Sequence, residues 1–198
     1  MFILAAVLII SGIVLVFNVL GSPAITEEKK FQDTRMLDKT AENIMREYMF
    51  ALGTATLYPK PNESASNFIS DLSSYMRNET DSSIFYAIIF VNGTNQRYSV
   101  NIGNYMDDSI SVNVSATNST PASGAFALND KKNTTLYFSS GINGTVNVTV
   151  SYTKGNNQIT ENIRVGVSTK NLMQGLFDIT VRDSGFSVNL KETYNRTW

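Results

Sequence analysis

The chain has 198 residues, a formal net charge of −1 and only 17% charged residues. That is enough length for one globular domain with a real core, and it leaves no field to steer nucleic acid or an anionic membrane surface. Cysteine and histidine are both absent, which excludes disulfides, thiolate or imidazole metal sites, and Ser-His-Asp or Cys-His catalysis.

The first element in chain order is "MFILAAVLIISGIVLVFNVLG", which carries no charge. Met1 to Leu20 as a helix spans about 30 Å, the thickness of a bilayer core. A secretory signal would open on a basic region and close on a small-residue cleavage site after a shorter apolar stretch. No Lys or Arg precedes this run, so the numbering is expected to begin after removal of a basic leader. A conventional single-pass anchor and an uncleaved signal are the alternatives. Gly21 and Pro23 then predict a break, because proline lacks an amide hydrogen and drives Ser22 towards extended geometry.

Beyond the break, Thr26 can cap a helix with Glu27 and Glu28 at its positive end. Leu37, Ala41, Ile44, Met45, Tyr48, Leu52 and Ala55 recur at spacings of three and four and share one face. This amphipathic helix is expected to run to about Tyr58, where Pro59 and Pro61 stop it. Helix and apolar segment, if continuous, make a rod of about 80 Å, too long for a domain of this size to bury. Glu63 to Met76 reads as a second short helix, with Ala65, Phe68, Ile69, Leu72, Tyr75 and Met76 at helical spacing.

From Ser82 the period changes to two. "SIFYAIIFV" reads as a central strand, "NGTN" as a hairpin signal, and seven or eight short strands follow between Gly- and Asn-rich turns. The expected fold class is α+β, a long N-terminal α-helix with an apolar first half and an amphipathic second half, plus a C-terminal antiparallel β-sandwich head. The expected division is residues 1–58 for the N-terminal helix, 59–82 for a connector with a short helix, and 83–198 for the head.

Composition carries a second signal. The chain has 21 Asn and 40 Ser plus Thr, which by chance give about four Asn-x-Ser/Thr acceptors for N-glycosylation. Nine are present: Asn62, Asn78, Asn92, Asn113, Asn118, Asn133, Asn143, Asn147 and Asn195. Such acceptors imply surface positions in an exported protein. In "SISVNVSAT" and "GTVNVTV" the alternation puts Asn113 and Asn147 opposite the apolar residues, where a sugar could sit outside the core. N-linked glycans are therefore expected, and no other cofactor.

No spacing matches a calcium loop or a catalytic carboxylate pair. Asp107, Asp108, Asp178 and Asp183 are read as solvated turn carboxylates, with no catalytic, cofactor or metal site, and the chain as a non-enzyme. The strand aromatics Phe85, Tyr86, Phe90, Tyr98, Tyr137, Phe138 and Tyr152 read as core or intersubunit contacts, and Trp198 as docked on a neighbour or frayed.

A charge-free hydrophobic segment at the N-terminus, continued by an amphipathic helix and a C-terminal β domain, resembles the type IV pilin superfamily, and archaeal pilins above its other branches. The resemblance covers the architecture of the whole chain, while its motif content is confined to about the first twenty residues. It implies a membrane-inserted precursor cut by a prepilin peptidase, pilus assembly machinery, and an extracellular cell-surface homopolymer whose core is built from the apolar helices. Many bacterial pilins carry Glu at the fifth mature position, where this chain has Ala5. Archaeal relatives commonly lack that Glu, and the glycine- and alanine-rich pattern of archaellins is missing, so an adhesive or structural pilus is implied.

Helix packing argues the same way. Lipid tails are as apolar as Leu and Ile, so close packing must decide association in a membrane. Ala5 and Gly12 lie on one face and permit close approach. The expected core contacts are Met1, Phe2, Ile3, Leu4, Ala5, Val7, Leu8, Ile9, Gly12, Ile13, Leu15, Val16 and Phe17. In water each exposed large side chain would cost about 1.5–3 kcal/mol, and a filament core removes that exposure. The expected function is a filament subunit exposing a glycosylated β domain for adhesion or surface protection. The alternative is a monomeric, single-pass membrane-anchored surface glycoprotein with a binding β domain. No nucleic-acid partner is expected.

Overall fold

The computed structural model describes residues 30–117, 123–138, 145–166, 169–183 and 185–198. Helix α1 covers residues 30–55 and helix α2 covers Pro61–Glu79. Nine strands follow: β1 Ser82–Val91, β2 Tyr98–Tyr105, β3 Ile110–Ala116, β4 Ser123–Leu128, β5 Lys132–Phe138, β6 Thr145–Lys154, β7 Asn157–Gly166, β8 Leu172–Asp183 and β9 Phe186–Thr197. They form one five-stranded sheet, ordered β5-β2-β1-β8-β9, and one four-stranded sheet, ordered β4-β3-β6-β7. Every strand pairing is antiparallel.

This arrangement corrects the fold class read from the sequence. The described residues are mostly β, with two helices within residues 30–79, rather than the α+β arrangement with a dominant helix read from the sequence. The described part of α1 is about 39 Å long and ends at residue 55, before Pro59 and Pro61. From Leu37 onward its apolar side lies on a sheet, while residues 30–36 ahead of it carry no buried side chain. Leu37, Ala41, Ile44, Met45, Tyr48, Leu52 and Ala55 are all buried there. The segment 1–29, including the expected break at Gly21 and Pro23, lies outside the described residues.

Three layers result, with helices on the five-stranded sheet and that sheet on the four-stranded one. Strand β1 explains why "SIFYAIIFV" is apolar without alternation, since both its faces are covered. Phe85, Ala87, Ile89 and Val91 enter the core between the sheets, while Ile84, Tyr86 and Ile88 pack beneath the helices. Strand β3, by contrast, covers only one face and alternates buried with exposed residues. Helix α2 is wider than expected, starting at Pro61, whose ring suits a first helical position. Its last turn closes as Thr80 donates through Oγ1 and through its amide to the Met76 carbonyl, at 2.7 and 2.8 Å.

Candidate functional site

Two features outside ordinary core packing stand out, an exposed apolar groove between the helices and a polar cluster between the sheets. On the helices, Phe31, Met36 and Phe50 of α1 are 70%, 72% and 73% exposed. Tyr75 of α2 is 59% exposed, although its spacing read as part of the buried face. A groove of about 420 Å³ runs between the two helices, with Phe50, Ala51, Phe68, Leu72 and Tyr75 along it and Glu47 and Asp71 at its edge. Phe50 is on the side of α1 opposite the residues that meet the sheet, a placement that a count of apolar residues at i, i+3 and i+4 passes over.

The acceptor asparagines fall into three groups. Asn78, Asn113, Asn147 and Asn195 are exposed. Asn113 and Asn147 sit on the outer face of the four-stranded sheet, beside the hydroxyl and amide pairs Thr149–Asn162 and Ser151–Thr160. Asn62, Asn92 and Asn133 are half-buried. Asn92 Oδ1 accepts the backbone amides of Thr94 and Asn95 at 2.9 and 3.3 Å, shaping the β1–β2 turn. Asn133 donates inward to Ser66 and Tyr86, both at 3.4 Å. Asn118 and Asn143 lie outside the described residues, as do the expected core contacts from Met1 to Phe17.

The polar cluster centres on Asp178, whose side chain is 2% exposed, which overturns its reading as a solvated turn carboxylate. Alternation in β8 turns Asp178 and Thr180 towards the other sheet, where Tyr152 and Lys154 come in from β6. Tyr152 Oη donates to Asp178 Oδ2 at 2.6 Å, and Lys154 Nζ donates to Asp178 Oδ1 at 2.7 Å. Asn189 Nδ2 donates to that same Oδ1 at 2.6 Å. Burial alone would raise the carboxyl pKa, but the bonds from Lys154, Tyr152 and Asn189, with the Lys154 charge, outweigh it and hold the group below the ordinary carboxylate range. Burial, then the bond to Asp178, pushes the Tyr152 phenol far up. A sequence scan misses this cluster because its members come from three strands.

Asp107, Asp108 and Asp183 are exposed, and Asp107 also ties elements together. Asp107 pairs with Arg77 of α2, and Asp130 binds the same guanidinium at 2.8 Å. Of the strand aromatics, Phe85, Tyr86, Tyr98, Phe138 and Tyr152 are buried, while Tyr137 is 68% exposed. Trp198 packs on Phe90 with ring centroids 5.9 Å apart, and its backbone exchanges two hydrogen bonds with Asn171, so it docks within its own chain. Among the described residues, no three Asp or Glu side chains gather as a metal site, and no helix is long and apolar enough to cross a membrane.

Compared with models of known families and with curated proteins, the chain has no match.

Proposed function

We propose that this chain is the structural subunit of an extracellular filament of the type IV pilus kind, resembling archaeal pilins. Copies polymerise through the apolar segment 1–20, after a membrane-inserted precursor stage, and expose a glycosylated β domain for adhesion or surface protection. The observation that carries this reading is the exposed apolar groove between the two helices, with Phe50 and Tyr75 along it. An exposed apolar patch of this kind marks an interaction surface. One wall of it is α1, the helix that follows the charge-free segment in the chain, so one packing arrangement of neighbouring copies can cover both.

Support also comes from the exposed acceptors Asn113 and Asn147, which face away from both cores. The test is electron microscopy of material sheared from cells. Uniform fibres with tightly packed helices inside are the expected result, and detergent-dependent single particles would overturn the filament in favour of a monomeric anchored glycoprotein. Gly12→Leu is expected to impair assembly while leaving the β domain folded.

A further inference from the structure

An ion pair between Lys154 and Asp178 needs only an amine and a carboxylate, yet a carboxamide is held against the same oxygen. Asn189 faces this site for a backbone reason. It is the register partner of Thr180 in the β8–β9 ladder, so its side chain leaves the sheet on the side of Thr180 and Asp178. Lys154 Nζ and Asn189 Nδ2 then share two acceptors. Both bond Asp178 Oδ1, at 2.7 and 2.6 Å, and both bond Thr180 Oγ1 at 2.9 Å. The two nitrogens are neighbours on a buried carboxylate.

We propose that Lys154 and Asn189 condense into an isopeptide bond that joins the two sheets, with Asp178 as the catalytic proton carrier. The ammonium of Lys154 passes a proton to Asp178, and the free amine attacks Cγ of Asn189. The C–N bond to Nδ2 breaks as Asp178 returns the proton to that nitrogen, and a second proton from the lysine leaves with it. The products are a secondary amide and one ammonium ion, and Asp178 ends ionised as it began. No oxidant or co-reactant is consumed. Holding the amine and the carboxamide on one carboxylate oxygen makes an otherwise very slow amide exchange an intramolecular one.

The bond ties the end of β6 to the edge strand β9, which otherwise pairs on one side only. It is independent of the filament reading, because it lies within one β domain whether or not copies assemble.

Tryptic mapping of the full chain by mass spectrometry tests it. The expected result is no cleavage after Lys154 and a branched product joining residues 133–164 to residues 183–191, lighter than the two peptides together by one ammonia. The 183–191 arm contains no acceptor triplet, so a glycan cannot hide it. Cleavage after Lys154 together with a free 183–191 peptide overturns the bond. Asn189→Ala and Lys154→Arg are expected to lose the branched product. Asp178→Glu, which keeps a carboxylate, is expected to form it more slowly, and Asp178→Ala to lack it. A branched product in Asp178→Ala would overturn the carboxylate's part, and loss in Asp178→Ala with slowed formation in Asp178→Glu, both still folded by circular dichroism, supports it. Should Asp178→Ala not fold, unslowed formation in Asp178→Glu overturns that part and slowed formation supports it.

Discussion

Tyr152 donates its phenolic proton to Asp178 Oδ2 at 2.6 Å, across the space between the two sheets. The same ring stacks on Phe85 with centroids 3.7 Å apart. Tyr152→Phe keeps the stack and removes the donor. A hydrogen bond to a charged group contributes about 1.5–3 kcal/mol, and the denaturant midpoint of the variant is expected to fall accordingly with an unchanged slope. An unchanged midpoint would mean that the phenol contributes no net stability.

Acid should weaken this cluster in a predictable direction. The Asp178 carboxyl is held below its unfolded value of about 3.9. A group depressed on folding binds fewer protons in the native state, so its contribution is complete above the unfolded value and is lost as pH falls through the lower folded one. The measurement is unfolding free energy against pH below about 5 in Asn189→Ala, which cannot form the cross-link. Adding Asp178→Asn to that variant is expected to flatten the acid limb, and an equally steep limb in the double variant would place the dependence elsewhere.

Gly103 lies under the ring of Tyr86, its register partner in β1. A Cβ at this position would come within 2.2 Å of that fully buried ring. Overpacking of a rigid core costs about 1–3 kcal/mol, so Gly103→Ala is expected to lower the melting temperature. Gly124→Ala is the control, because its Cβ would meet Leu136 at 3.5 Å, an ordinary contact. Equal melting temperatures for the two variants would show that Tyr86 moves aside without penalty.

The two helices are joined where Tyr48 Oη meets Ser73 Oγ at 2.7 Å, both side chains buried. Ser73 also donates to the Ile69 carbonyl at 2.6 Å, so Tyr48→Phe leaves no orphaned hydroxyl and should cost about 1 kcal/mol. Tyr48→Ala removes the ring stacked on Phe177 and should cost about 3–5 kcal/mol. Chemical denaturation of both variants separates hydroxyl from ring.

Phe50 is 73% exposed, and Phe50→Asp should leave stability within about 0.5 kcal/mol, as for ordinary surface changes. Under the filament proposal the same variant yields few or no fibres. Normal fibres with normal yield would remove this face from the assembly contact.

Local repetition made much of the β domain legible. Alternation in "SISVNVSAT" is a property of neighbouring residues on one strand, and the buried Val112 and Val114 against exposed Asn113 follow from it. The turn chemistry of Asn92-Gly93 was equally readable, since an Asn side chain bonds its own backbone two and three residues on. The groove beside Phe50 and Tyr75 was not, because each helix must first choose which apolar side the sheet will take.

By itself the sequence determined the periods: the charge-free opening, the helical face from Leu37 to Ala55, and the strands with their glycine turns. These depend on side-chain spacing along a single element. Tertiary structure alone decided that α1 from Leu37 onward lies on a sheet, that β9 pairs at an edge, and that Lys154, Asp178 and Asn189 meet. The physical reason is that such contacts join strands separated by turns whose register and sheet order no local period encodes.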